Sequence, residues 1–115
     1  MQDFKNVGAW KKAHLLVLRV YQETNTLPRE EIFGVTMQLR RSSVAIATRI
    51  AEGCGRDKDA DFAVDLRRAA ASCHELEYLV LLARDLHLWA AELSEPITAD
   101  TIEVRKMIFG LLQKL

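Results

Sequence analysis

Apolar residues recur alternately four and three positions apart, without a break, from Phe62 to His87. The series consists of Phe62, Leu66, Ala69, Cys73, Leu76, Val80, Ala83 and His87. This spacing places side chains on one face of an α-helix, whereas a strand would alternate every second residue. It predicts a helix of about 28 residues and roughly 42 Å. Asp57 is its expected N-cap, and Asp59 and Asp61 place negative charge near the positive end of the helix dipole.

Two helices with the same spacing are predicted before this one. The first covers residues 7–24 and ends before Pro28, because the residue preceding a proline disfavours helical backbone. Residues 29–34 form a short connection with room for one helical turn. The second helix begins near Val35 and ends at the glycine-containing corner of residues 53–55, since glycine readily adopts the backbone conformations that terminate helices.

A fourth helix is predicted to begin at Ser94 and Pro96, a pairing typical of helix N-termini, and to continue to the end of the chain. Residues 89–93 form a connection that is partly helical. Short connections between four amphipathic helices predict an all-α fold, an up-down-up-down antiparallel four-helix bundle. At 115 residues, residues 1–115 are expected to form a single domain.

The apolar positions are more numerous than one four-helix core can hold. The first helix carries one seam beginning at Ala9 and an adjacent seam one residue on, and the second helix carries a seam from Leu39 to Gly53. Large apolar patches are uncommon on monomers, so the surplus predicts a subunit interface in a ring-like homo-oligomer. The surplus positions are Leu15, Leu18, Met37, Val44, Leu79, Leu82, Met107 and Phe109.

Charge and cysteine usage exclude several classes of protein. Sixteen basic and sixteen acidic residues cancel, so nucleic-acid binding would require a local patch. Cys54 and Cys73 lack the spacing of metal fingers or redox motifs, and two reduced thiols are expected, with Cys54 the more exposed and Cys73 in the core. Without an export signal or an apolar run of about 20 residues, the chain is expected to be soluble, cytoplasmic and not membrane-bound.

Six arginines surround the glycine corner and form the candidate nucleic-acid site. One interpretation is a phosphate-binding stripe, which a ring-shaped oligomer would multiply. The alternative is a set of solvated ion pairs, with Asp61 and Asp65 pairing with Arg68, and Glu52 pairing with Arg49 or Arg56. The amides of residues 53–56 could likewise hold an anion or simply cap the helix. The six candidates are Arg40, Arg41, Arg49, Arg56, Arg67 and Arg68.

The sequence supports metal binding or catalysis less than it supports nucleic-acid binding. His74 and Glu77 are three residues apart on one helix, a spacing that can bind metal when other helices supply carboxylates such as Glu52 and Glu103. Neither of these lies in a repeated Glu-x-x-His pattern, so no metal or cofactor is predicted. His14 is expected to pack beside Trp10, and His87 to occupy a helix C-terminus. The sequence contains no nucleophile elbow or triad, so it predicts no enzyme.

A set of residues distributed over positions 4–115 forms a recognisable pattern. It includes Phe4, Val7, Trp10, Lys12, Ala13, Val20, Tyr21, Pro28, Phe33, Gly34, Gln38, Leu39, Arg40, Arg41, Ile50, Ala51, Glu52, Gly53, Gly55, Arg56, Phe62, Glu75, Leu76, Glu77, Ala83, Arg84, Asp85 and Leu86. As a set, these residues resemble the four-helix-bundle family of proteins encoded in intervening sequences of bacterial 23S rRNA genes. The chain departs from the family pattern at 45–50, where members carry a proline. Its absence predicts an uninterrupted second helix.

The resemblance implies a cytoplasmic homo-oligomer, a pentameric ring, with no known enzymatic activity. Related accessory proteins of diversity-generating retroelements bind nucleic acid and a reverse transcriptase. The sequence therefore predicts a non-catalytic helical assembly protein that presents arginines to RNA or another nucleic acid. The alternative is a protein–protein interaction scaffold that does not touch nucleic acid. A third interpretation is a small metalloenzyme with its metal in the bundle core.

Overall fold

Four α-helices account for most of the chain, as the helical spacing predicts. The computed structural model describes residues 2–115, with α1 at Gly8–Thr24, α2 at Val35–Cys54, α3 at Asp59–Asp85 and α4 at Ala91–Gln113. Short 3-10 turns cover Phe4–Asn6 and Arg29–Glu31, so the connection after α1 does contain a helical turn. Helix α2 is uninterrupted, in agreement with its lack of proline. No β-strand occurs in residues 2–115.

Each helix packs against two neighbours. Helices α1 and α3 each contact α2 and α4, and the four surround a single core in a structure of 43 × 22 × 20 Å. The predicted seams supply that core, because side chains spaced four and three apart all face inward. The largest fully buried side chains include Val20, Leu39, Ile46, Ile50, Leu66, Leu76, Val80, Ile97, Val104 and Ile108.

The two ends of α3 differ from the prediction. Asp57 is not its N-cap; Lys58 holds that position and makes no side-chain capping bond, while Asp59 and Asp61 do lie in the first turn. At the other end the helix stops at Asp85, two residues before His87. His87 has a left-handed φ of 61°, so it turns away from the seam.

Backbone hydrogen bonds explain this stop. The amide of His87 donates to the Arg84 carbonyl and the amide of Leu88 to the Ala83 carbonyl, both at 2.9 Å. This pairing is a Schellman motif, which satisfies carbonyls that the helix end would otherwise leave without donors. The last member of the series, His87, therefore terminates the helix instead of extending its apolar face.

Helix α4 begins earlier than predicted. It starts at Ala91, and Pro96 lies inside it rather than at its first position. The carbonyl of Ala90 accepts from the amides of Leu93 and Ser94, at 3.1 and 3.0 Å, which establishes the helix before the proline. The missing proline amide costs only one intrahelical bond near the helix start. The predicted start at Ser94 and Pro96 is therefore wrong by about one turn.

The second seam of α1 and the surplus apolar residues are only partly covered. His14 is exposed but stacks on Trp10, with ring centroids 5.0 Å apart. Leu79 is buried within the chain, so its assignment to a subunit interface is wrong; its side chain belongs to the core. Met37, Leu82 and Met107 are half-buried, and Leu15, Leu18, Val44 and Phe109 remain exposed.

Both cysteines are free thiols inside the core. Cys54 was expected to be the more exposed thiol, yet it is buried like Cys73: only 1% of it is accessible, because its position on α2 faces inward and Gln2 donates to its carbonyl at 2.9 Å. Burial raises the pKa of the Cys54 thiol, and it raises the pKa of the Cys73 thiol to about 12.

No helix within residues 2–115 is long and apolar enough to span a membrane.

Candidate functional site

Three of the six predicted arginines line one groove on the outer side of α2. Arg40, Arg41 and Arg49 share the groove, which has a volume of about 570 Å³, with one acidic residue, Glu52. Arg41, Arg49 and Glu52 lie within about 80° of one another around α2, and Arg40 lies about 100° from Arg41, all of them outside the core seam. We call this feature the arginine groove. Its other lining residues are Tyr21, Ile32, Phe33, Thr36, Met37, Val44, Ala45 and Thr48.

Arg40 is held in place by uncharged partners. Its Nε donates to the Thr24 hydroxyl at 2.8 Å and its guanidinium donates to the Asn25 side-chain oxygen at 3.1 Å. The guanidinium carbon lies 4.8 Å from the centroid of the Tyr21 ring, within the range of a cation–π contact. Thr24 is itself buried and donates to the Val20 carbonyl at 2.7 Å. Arg40 is thus oriented without being neutralised by a carboxylate.

The other two groove arginines differ in how they are paired. Arg49 lies 3.7 Å from Glu52 on the next turn of α2, as predicted, and both side chains are well exposed. Such a pair contributes at most about 0.5 kcal/mol and is readily screened by salt. Arg41 is exposed and has no salt bridge among residues 2–115. The groove therefore combines three positive charges with one negative charge.

Exposed aromatic side chains border these arginines, and sequence analysis missed their contribution. Phe33 is 82% exposed, and Tyr21 is also exposed. Phe33 lies in the connection between α1 and α2, immediately before Gly34, where no helical seam directs a side chain inward. An aromatic residue in such a polar connection was the available signal.

Arg56 and Arg68 surround a buried carboxylate instead of lining the groove. Asp65 is only 1% exposed; its Oδ2 accepts from Arg56 Nε at 2.8 Å, and its Oδ1 lies 3.9 Å from Arg68. The hydrogen bond and charge of Asp65 raise the pKa of Arg56 further above its ordinary value. A Cβ on Gly53 would come within 2.7 Å of the Phe62 ring and 3.1 Å of Asp65, so α2 and α3 approach closely here. Both arginines thus compensate a charge at the α2–α3 corner.

The corner offers no open set of amides for an anion. The amide of Gly55 donates to the Glu52 carbonyl at 3.1 Å and that of Arg56 to the Gly53 carbonyl at 3.0 Å. These bonds close the end of α2, which favours the helix-cap interpretation of residues 53–56. The remaining predicted arginine, Arg67, lines a separate depression with Asp59 and Leu112.

The residues considered for a metal site are dispersed. Glu77 accepts from Arg105 at 2.6 Å, Glu52 pairs with Arg49, and Glu103 lies 3.2 Å from Lys12 Nζ. No group of three or more His, Cys, Asp or Glu residues in the described part of the chain could hold a metal ion. His74 and Glu77 instead line a second groove.

The sequence of this four-helix chain matches the sequence model of one known protein family. The sequence model of the 23S rRNA-intervening sequence protein family matches residues 5–110, which include all four helices up to the last turns of α4. The chain belongs to this family. The match confirms the resemblance seen in the sequence.

One solved structure has a fold similar to that of this member of the 23S rRNA-intervening sequence protein family. It is the crystal structure of a protein of unknown function from the S23 ribosomal protein family of Bacteroides thetaiotaomicron. The two superpose with a TM-score of 0.84 at 25% sequence identity, over 90% of this chain and 97% of the other. No protein of curated function matches the chain.

The family member also carries a second groove, between α3 and α4, with a volume of about 550 Å³. Exposed Tyr78 and Leu81 line it together with Val80 and Ile102, so much of its surface is apolar. Glu77, which accepts from Arg105, and Arg84 also line it. The two grooves thus differ in charge: three arginines face one glutamate in the arginine groove, whereas Glu77 and Glu95 face only Arg84 in the second groove.

Proposed function

We propose that this chain is a non-catalytic, oligomeric protein that binds RNA or another nucleic acid through the arginine groove. The observation that carries the proposal is the convergence of Arg40, Arg41 and Arg49 on one groove with a single opposing carboxylate, in a chain whose total charges cancel. Nucleic-acid backbones are dense polyanions, and local clusters of arginine bind them even when net charge is zero. Arg56, Arg67 and Arg68 lie outside the groove and have no direct part in this proposal.

The proposed assembly is a pentameric ring of single-domain, up-down-up-down antiparallel bundles in the cytoplasm. An antiparallel arrangement of α1 and α4 is supported by three ion pairs. Lys12 Nζ lies 3.2 Å from Glu103 and 3.7 Å from Asp100, whereas Arg19, further along α1, lies 3.8 Å from Asp100, which is earlier in α4. Self-association is supported by Leu15 and Leu18, which are 65% and 53% exposed on the outer face of α1. In a ring, several grooves would engage one strand and multiply a modest affinity.

A non-catalytic role is supported by the state of the available nucleophiles. Both cysteine thiols are buried, and their raised pKa values hold them in the unreactive protonated form at neutral pH. The carboxylates considered for metal chemistry are engaged by Arg49, Lys12 and Arg105. These contacts suit a stable helical support more than a reaction centre.

The decisive experiment is a fluorescence-anisotropy titration of labelled ribosomal RNA fragments at low and near-physiological salt. Wild-type protein should bind with an affinity that falls steeply with salt. The R40A/R41A variant should bind more weakly and reduce the slope of log affinity against log salt by roughly 1 to 2, because each phosphate contact contributes about 0.7 to 0.9. Circular dichroism should show unchanged helix content.

The matched control is the double variant R84A/K106A, which removes two exposed positive charges outside the arginine groove. It should retain the wild-type salt slope. An equal loss in both double variants would mean that binding follows total charge and would remove the groove from the proposal. Absence of binding at low salt would overturn nucleic-acid binding altogether.

The second candidate function is a protein-binding scaffold. The observation that favours it is the mainly apolar α3–α4 groove with its exposed Tyr78 and Leu81. Exposed apolar grooves on helical proteins accept amphipathic helices from partners. A protein partner lost on Tyr78→Ala or Leu81→Ala, together with no retention of RNA, would support this alternative.

A further inference from the structure

We infer that the arginine groove takes single-stranded nucleic acid in preference to duplex, with unpaired bases stacking on Phe33 and Tyr21. This inference rests on the proposed function, because it specifies the form of the nucleic acid that the same groove binds. Proteins that hold single strands combine a basic groove along the backbone with aromatic side chains that stack on bases. The groove contains both components within one set of lining residues.

Phe33 is the main reason for this assignment. Its ring is 82% exposed, and neighbouring Ile32 is also exposed, although both line the same groove as Arg40 and Arg41. Exposed apolar area of this kind is costly in water, and covering it with the face of a base recovers part of that cost. Phenylalanine offers no hydrogen bond, so the contact would accept any base, which suits sequence-tolerant stacking.

Tyr21 and Arg40 provide a second flat surface. The guanidinium lies 4.8 Å from the Tyr21 ring and is anchored by Thr24 and Asn25, so Arg40 is already oriented in the unbound protein. Preorganisation reduces the entropy lost on binding. A guanidinium can contact phosphate through its donors and stack on a base through its plane.

The combination favours a single strand over a duplex. In a duplex the bases stack on each other and offer no free face to Phe33 or Tyr21, so only the arginines would contribute. In a single strand the phosphates and bases can both engage the groove. Its volume of about 570 Å³ lies within the range of roughly 300 to 1,000 Å³ found for sites that enclose small organic ligands, which suits an unstacked nucleotide.

The test uses the full-length protein and three labelled probes: an oligouridylate of about 12 nucleotides, the oligothymidylate of equal length, and a matched RNA duplex. Wild-type protein should bind the single strands more tightly than the duplex at the same salt. Phe33→Ala should weaken single-strand binding by roughly 5- to 100-fold and leave duplex binding unchanged. R40A/R41A should weaken binding to all probes. Stronger binding of oligouridylate than of oligothymidylate would identify RNA as the source of the strand.

The matched control is Tyr78→Ala, which removes an exposed aromatic side chain from the other groove and should change none of these affinities. Equal binding of single strand and duplex, or equal loss on both with Phe33→Ala, would overturn the inference while leaving the proposed function intact. No binding of any probe at low salt would overturn both. Tighter binding of a polyglutamate peptide than of the oligonucleotides, with dependence on Phe33, would assign the groove to an acidic protein partner instead.

Discussion

Arg56 Nε donates to Asp65 Oδ2 at 2.8 Å, which joins the connection after α2 to the second turn of α3. The carboxylate is almost completely buried, whereas the arginine retains substantial contact with solvent. A buried carboxylate is costly unless it is paired. Arg68, 3.9 Å from the other carboxylate oxygen, provides only a longer second contact. The pair therefore contributes to stability mainly by compensating Asp65.

The first prediction follows from this asymmetry. Arg56→Ala should destabilise the fold more than Asp65→Asn, because the first leaves a buried charge poorly paired and the second removes that charge while keeping an oxygen that can accept a hydrogen bond. We expect Asp65→Asn to lower the free energy of unfolding by about 1 kcal/mol. The urea midpoints of the variants, measured by circular dichroism, give the comparison.

Arg67→Ala serves as the control for this prediction, since Arg67 is an exposed neighbour on α3 outside the Asp65 cluster. Its free energy of unfolding should change by no more than about 0.5 kcal/mol. If Arg56→Ala were as mild as this control, Asp65 would not depend on Arg56.

Local periodicity accounts for the helices and most of the core, but not for the helix ends or for Asp65. Asp65 stands three residues after Phe62 and so faces the core, a signal present in the sequence. Whether a carboxylate can remain there depends on Arg56, across the α2–α3 corner, which helical spacing does not encode. In the same way, the end of α3 before His87 depends on the left-handed backbone of that residue. The early start of α4 depends on hydrogen bonds to the Ala90 carbonyl.

The second prediction concerns pH. Burial raises the pKa of Cys73 from an ordinary 9.0 to about 12. The folded state therefore keeps this proton where the unfolded state loses it, so the stabilising contribution is complete below about pH 9 and is lost as pH rises toward about 12. Within that window the free energy of unfolding should fall by up to about 1.4 kcal/mol per pH unit from this group.

Urea titrations between about pH 8 and about pH 10.5 would measure this slope. Other groups contribute to the decline over this range, so the relevant quantity is the difference in slope between wild type and Cys73→Ala. The variant lacks the Cys73 proton and should show a shallower decline, whatever its absolute stability. Identical slopes would mean that the Cys73 thiol titrates equally in the folded and unfolded states.

The candidate site is predictable from sequence only in part. Arg41 and Arg49 point in similar directions because eight residues bring a helix back to within about 80° of its starting direction. Arg40 lies about half a turn away from Arg49 around α2 and is held beside α1 by Thr24 and Asn25. The separation of Arg56 and Arg68 from the groove arginines depends on their contacts with Asp65, and Arg67 lies apart from both sets. The position of Phe33 beside the groove depends on how residues 29–34 fold over α2, for which the sequence contains no periodic signal.

The third prediction tests self-association through the outer face of α1. Leu15 and Leu18 are exposed one helical turn apart and line neither groove, so their substitution should leave the core and the arginine groove intact. In the L15E/L18E variant, two carboxylates would have to be desolvated at any interface that covers this face, which is strongly unfavourable. We expect sedimentation and light scattering to give a mass near 13.1 kDa for the variant and about five times that mass for wild type.

The control L81E/L86E places the same charges at exposed leucines elsewhere and should remain oligomeric. A monomeric wild type would refute the assembly, and dissociation of the control alone would transfer the interface to α3.

Because avidity requires several grooves on one particle, L15E/L18E should also bind long RNA more weakly than wild type while binding a strand of about 12 nucleotides with similar affinity.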